Sequence, residues 1–95
     1  MGTMETYELK IKEEFDVEYS YNDFVEDLKL GSEIEFTYNN INYFLFYDER
    51  GTILVKLDDK TKQIFRSIQE FLSSKLFQSK RIYEVWDDIS INTVL

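Results

Sequence analysis

The sequence predicts an α+β domain: an antiparallel β-meander sheet of three to five strands packed by two C-terminal helices, with a short helix after the first strand. Three observations carry that expectation. Several segments up to Leu57 alternate apolar and polar residues with period two, and turn-forming residues separate them. Two later segments place apolar residues at helical spacing behind serine caps.

From Tyr7 to Tyr19 the odd positions read Tyr7, Leu9, Ile11, Glu13, Phe15, Val17 and Tyr19, and the even ones Glu8, Lys10, Lys12, Glu14, Asp16 and Glu18. Side chains alternate across a strand, so one face is apolar and the other charged, wholly acidic toward its end. Glu13 interrupts the apolar face, which marks a bulge, a bend or a strand that outruns its partner. Ser20 then caps a short helix. Asp23 sits at its third position in a near capping box, Phe24, Val25 and Leu28 share one face, and Gly31 supplies the left-handed residue that ends it.

Glu33 to Tyr38 alternates again, and Asn39-Asn40 makes a two-residue turn, because asparagine tolerates positive φ. Ile41 to Tyr47 follows, and Asp48-Glu49-Arg50-Gly51 turns into Thr52 to Leu57. In the middle strand Tyr43 to Tyr47 are all apolar or aromatic, so both of its faces are expected to be covered. Lys62 to Phe65 adds a short edge strand. Ser67 and Glu70 form a capping box ahead of the stripe Ile68, Phe71, Leu72, Leu76, and Ser79 caps a last helix carrying Ile82, Val85, Trp86 and Ile89. Ser90 to Leu95 is apolar enough for either a packed tail or a strand.

The 95 residues fit one domain, 43% hydrophobic, with eight Phe, seven Tyr and one Trp, too apolar for a disordered chain. Residues 1–4 read as a flexible or vector-derived leader, with a native start at Met4. Gly2 and Thr6 also match the myristoylation pattern, but acidic rather than basic residues follow. No run approaches the ~20 apolar residues of a membrane span. With no cysteine and no secretory leader, a cytoplasmic protein without membrane attachment is expected.

Absent His and Cys remove zinc and haem sites and Cys or His nucleophiles. The three glycines stand apart at 2, 31 and 51, so no phosphate-binding loop exists. Asp58 to Lys62 lacks the glycine and terminal glutamate of a calcium loop. The adjacent pairs Asp58-Asp59 and Asp87-Asp88 read as solvated charge. Neither catalysis, nor a cofactor, nor a metal is expected.

The chain carries 11 Lys+Arg against 19 Asp+Glu, a net charge of −8, which repels nucleic acid. Its distribution is uneven: through Glu35 eleven acids face three lysines, whereas the rest balances eight against eight. Ordinary solubility is the plainer reading. The sharper one is a recognition face for a basic protein partner, since a patch of one sign speeds association and selects the complementary field. Its candidates are Glu8, Glu14, Asp16 and Glu18 on the first strand and Asp23, Glu26 and Asp27 on the helix. Trp86 reads as core first and interface anchor second. A small accessory or housekeeping domain, self-associating as a homodimer through its N-terminal strand, is the alternative.

The stretch from Gly31 to Tyr43, the Ser67-capped segment and the closing Ile82-Tyr-Glu-Val-Trp-Asp-Asp-Ile together resemble small single-domain proteins of Gram-positive bacteria and their phages. Those proteins are mostly of unassigned function, and some act as immunity or inhibitor proteins. The resemblance spans about residues 31 to 91 and leaves the acidic front third largely outside. Its motifs are fold signatures, so it assigns no functional residue. Together with the acidic front face, the expectation is a non-catalytic protein-binding module of the immunity, antitoxin or anti-defence inhibitor class.

Overall fold

A computed structural model describes residues 19–95. The strand expected over 7–19 lies outside them except for Tyr19, which leads irregularly into the first helix. That helix, α1 (Tyr21–Lys29), begins as the sequence requires. The Asp23 amide donates to Ser20 Oγ and the Ser20 amide to Asp23 Oδ2, both at 3.1 Å, closing a reciprocal capping box. Gly31 follows at φ +89°, where an L side chain is strained.

Strands β1 (Ile34–Tyr38), β2 (Ile41–Asp48), β3 (Gly51–Lys56) and β4 (Thr61–Phe65) form an antiparallel meander, and β5 (Ile89–Val94) pairs beside β1. The five-stranded order is β4-β3-β2-β1-β5. Asn39 and Asn40 both take positive φ, as the tight turn between β1 and β2 demands. Asp48 closes the next turn by accepting from the Arg50 amide and guanidinium, which holds its carboxyl below the usual carboxylate range.

Register fixes the two faces. Ile34, Phe36 and Tyr38 of β1 align with Leu45, Tyr43 and Ile41 of β2, and Leu45 with Leu54 of β3. This inner face meets Phe24 and Leu28 of α1, Phe71, Phe77, Ile82 and Val85 in one core. The β2 expectation needs correction: Tyr43 and Leu45 are buried, but Phe44 and Phe46 are half-buried and Tyr47 is 63% exposed at the strand's end.

The C-terminal third departs further from expectation. α2 (Ile68–Ser73) starts at Ser67, whose Oγ accepts from the Glu70 amide, while the Glu70 carboxylate bonds the Arg66 amide rather than that of Ser67. It stops well before Leu76. The Ser73 and Ser74 hydroxyls donate to the Gln69 and Glu70 carbonyls, competing for the groups that would continue the helix.

The expected Ser79-capped helix is absent. Gln78 and Ser79 both have positive φ, and Phe77 and Lys80 exchange backbone hydrogen bonds around them, so Ser79 sits in a tight turn. Phe77 anchors that turn. It is 1% exposed and meets the rings of Phe36, Tyr38, Tyr43 and Phe71 within 6.5 Å. In place of the second C-terminal helix, a 3₁₀ segment (Ile82–Asp88) runs with a kink at Val85 and gives way to β5, so Ile89 belongs to a strand.

Candidate functional site

The seven acidic candidates divide sharply. Glu8, Glu14, Asp16 and Glu18 lie outside the described residues. Asp23 is exposed at the start of α1, with its carboxylate engaged in the capping box. Glu26 is exposed on the outer side, loosely joined to Lys29 at 3.9 Å.

Asp27 stands apart from the other described candidates. It is only 5% exposed, faces inward with Phe24 and Leu28, and its Oδ2 accepts the Tyr19 hydroxyl at 2.5 Å. A helix turns about 100° per residue, so the step from Glu26 to Asp27 moves the carboxylate from solvent to the core face. The signal lay in the sequence: Phe24, Asp27 and Leu28 stand at the i, i+3, i+4 spacing that defines the buried stripe. Asp27 therefore ties the lead-in residue Tyr19 to the helix.

Beside the start of α1 the structure assembles Tyr21, Tyr83 and Trp86, of which only Trp86 stands out in the sequence, from its apolar stripe. The 3₁₀ segment explains how. Three residues per turn make i and i+3 eclipse, which sorts the segment into three sides. Ile82 and Val85 point into the core, Tyr83 and Trp86 turn toward α1, and Glu84 and Asp87 stay exposed. Tyr21 of α1 meets Tyr83 edge-on, with centroids 5.0 Å apart at 70°, and Trp86 at 5.6 Å and 78°. Trp86 also touches Phe24 at 5.0 Å and Tyr19 at 6.4 Å, so its inner edge belongs to the core. Tyr83 remains 66% exposed.

A local clamp holds this segment. The Arg81 amide and Nε–H both donate to Glu84 Oε2, at 3.2 and 2.8 Å, which keeps the Glu84 carboxyl below its usual range. Burial, and then the neighbouring Tyr83, push the Tyr21 phenol above its ordinary value, so Tyr21 is a neutral hydroxyl at physiological pH.

The other carboxylate pairs have local tasks or none. Asp59 accepts from the Thr61 amide and hydroxyl, which lowers its pKa and shapes the β3–β4 turn. Among the described residues no group of three or more His, Cys, Asp or Glu is placed to hold a metal, and no helix is long and apolar enough to cross a membrane. A shallow hollow of about 440 Å³ beyond the β1–β2 turn is lined by amides and hydroxyls, with Asp88 as its one carboxylate.

In comparisons with known proteins, no family model, no curated protein and no solved structure matches the chain.

Proposed function

We propose that this protein is a non-catalytic protein-binding module that engages a basic partner through its acidic N-terminal region, as an inhibitor of the immunity, antitoxin or anti-defence kind. One observation carries the reading: the whole net charge of −8 falls within the first 35 residues. Asp23, Glu26 and Glu33 are exposed acids of that stretch among the described residues, and Glu18 adjoins Tyr19 in the chain. Single-sign fields of this sort accelerate encounter with a basic surface and discourage acidic competitors and nucleic acid.

Affinity capture from host lysate at low salt, followed by mass spectrometric identification, tests the reading. The unaltered chain is expected to retain a basic protein. A variant combining Glu14→Lys, Asp16→Lys, Glu18→Lys and Glu26→Lys is expected to capture it at least about tenfold more slowly, with the difference shrinking as salt rises. Undiminished capture by the reversed variant, or an acidic protein as the retained species, overturns the proposal.

A further inference from the structure

The sheet has a second face, on which no described helical segment packs. Register places Phe44 beside Val55, Phe46 beside Ile53 and Ile53 beside Ile64 on the side turned away from α1, α2 and the 3₁₀ segment. The rings of Phe44 and Phe46 lie 5.3 Å apart at 31°. None of the five residues belongs to the core cluster. Ile53 is nevertheless 0% exposed, and Phe44, Phe46 and Val55 are half-buried, while Ile64 on the edge strand is 51% exposed. Side chains standing on one sheet shield one another's flanks and leave their tips open, so an apolar face of this kind calls for a second layer.

The chain ahead of Tyr19 holds a segment of matching pattern. Tyr7, Leu9, Ile11, Phe15 and Val17 fall on one side of an extended segment, and Glu8, Lys10, Lys12, Glu14, Asp16 and Glu18 on the other. The one charge on the apolar side is Glu13. The sheet face offers it an opposite charge: Lys62 stands opposite Val55 and makes no ion pair among the described residues. The acids of the face are Glu35, opposite Phe44, and Asp48, which Arg50 already engages. Tyr19 is tied to Asp27, so the segment starts at the body of the protein. Eighteen residues precede it and reach roughly 60 Å when extended, whereas the width of a five-stranded sheet is about 20 Å.

We infer that residues 7–17 lie apolar side down across Phe44, Phe46, Ile53 and Val55, a second layer supplied by the chain itself. A second copy fits less well, because stacking two such sheet faces leaves the apolar side of residues 7–17 without cover. The docking needs no partner; its consequence, which rests on the reading above, is that Glu8, Glu14, Asp16 and Glu18 are presented outward together to a basic surface.

The chain has no cysteine, so a nitroxide on Glu14→Cys is a single label. In the full chain it is expected to broaden the amide resonances of Phe44, Phe46, Ile53 and Val55 more than those of Phe71 and Phe77, independently of protein concentration. Urea unfolding gives a second readout. Phe15→Ala and Phe46→Ala are each expected to lower the midpoint, with the unfolding constant of the double variant at least about twofold below the product of the single effects. Glu14→Ala is expected to leave the midpoint unchanged.

Broadening seen only between a labelled copy and an unlabelled, isotope-enriched one gives the face to self-association and overturns the inference. Equal broadening of both sets of amides, or strictly independent effects of Phe15→Ala and Phe46→Ala, overturns it as well. Each of these outcomes leaves the acidic-surface reading standing, which capture from lysate decides separately.

Discussion

Two sets of rings in this protein share a chemistry and differ in their surroundings. Phe36, Phe71 and Phe77 fill the space between the sheet and its covering segments, and each is at most 1% exposed. Tyr21, Tyr83 and Trp86 adjoin that core at one end and reach solvent at the other. Phenylalanine has no polar atom to satisfy, so full burial is its lowest free energy. Tyrosine and tryptophan carry a polar tip that favours a wet boundary, the arrangement enriched at protein interfaces. Glu84 and Asp87 stand among the outer rings in sequence, whereas the buried charged residue Asp27 lies beside Phe24 and Leu28 and is bonded to the Tyr19 hydroxyl.

The largest expected effect comes from truncating an inner ring. Phe77→Ala is expected to destabilise by about 3–5 kcal/mol, because four rings lose a partner and the turn at Gln78-Ser79 loses its anchor. Tyr83→Ala, an equally drastic truncation outside, is expected to stay within about 0.5 kcal/mol. Urea unfolding of the two variants decides the comparison, and similar losses would break it.

Next comes the frame that presents the inner set. Gly51 sits at φ +127°, and an added Cβ would fall 2.2 Å from the Phe65 carbonyl oxygen, which is backbone and has little freedom to give way. Gly51→Ala is expected to cost about 1–3 kcal/mol by separating β3 from β4. The Trp86 fluorescence of the folded variant should stay unchanged, since the outer rings lie on other elements.

The smallest effect concerns acid. Glu84 has a depressed pKa in the folded protein, so the stabilisation it gives the 3₁₀ segment is present above its unfolded value and is lost as pH falls through the folded one. On acidification below the ordinary glutamate range, Trp86 fluorescence should change before the far-ultraviolet signal of the sheet. Arg81→Gln should move that early change to higher pH, and simultaneous loss of both signals would show that the outer rings have no separate hold.

Much of the fold was legible in local patterns. The Asn39-Asn40 turn, the alternation of β1 and the Ser20–Asp23 box each depend on residues close in sequence, and each formed where those residues stand. The last third was not legible in the same way. Ser79 preceding an i, i+3, i+4, i+7 stripe reads as a helix, yet the same stripe satisfies a 3₁₀ segment at Ile82 and Val85 and then leaves Ile89 for a strand. What won there was the demand of Phe77 for the core and of the β1 edge for a partner, neither of which is local. The candidate site was legible in charge alone. The ring contacts beside α1 were hidden because Tyr21 and Tyr83 stand far apart in sequence.

The sequence by itself determined the class of the protein: an α+β chain with a meander, without His or Cys chemistry, and with its whole charge excess at one end. Period, caps and charge are properties of neighbouring residues, and the physics that reads them is short-ranged. Only the tertiary structure decided that Asp27 turns inward, that β5 closes the sheet beside β1, and that Tyr21 meets Tyr83 and Trp86. Those outcomes depend on which surfaces exclude water together, and that is settled only when distant segments meet.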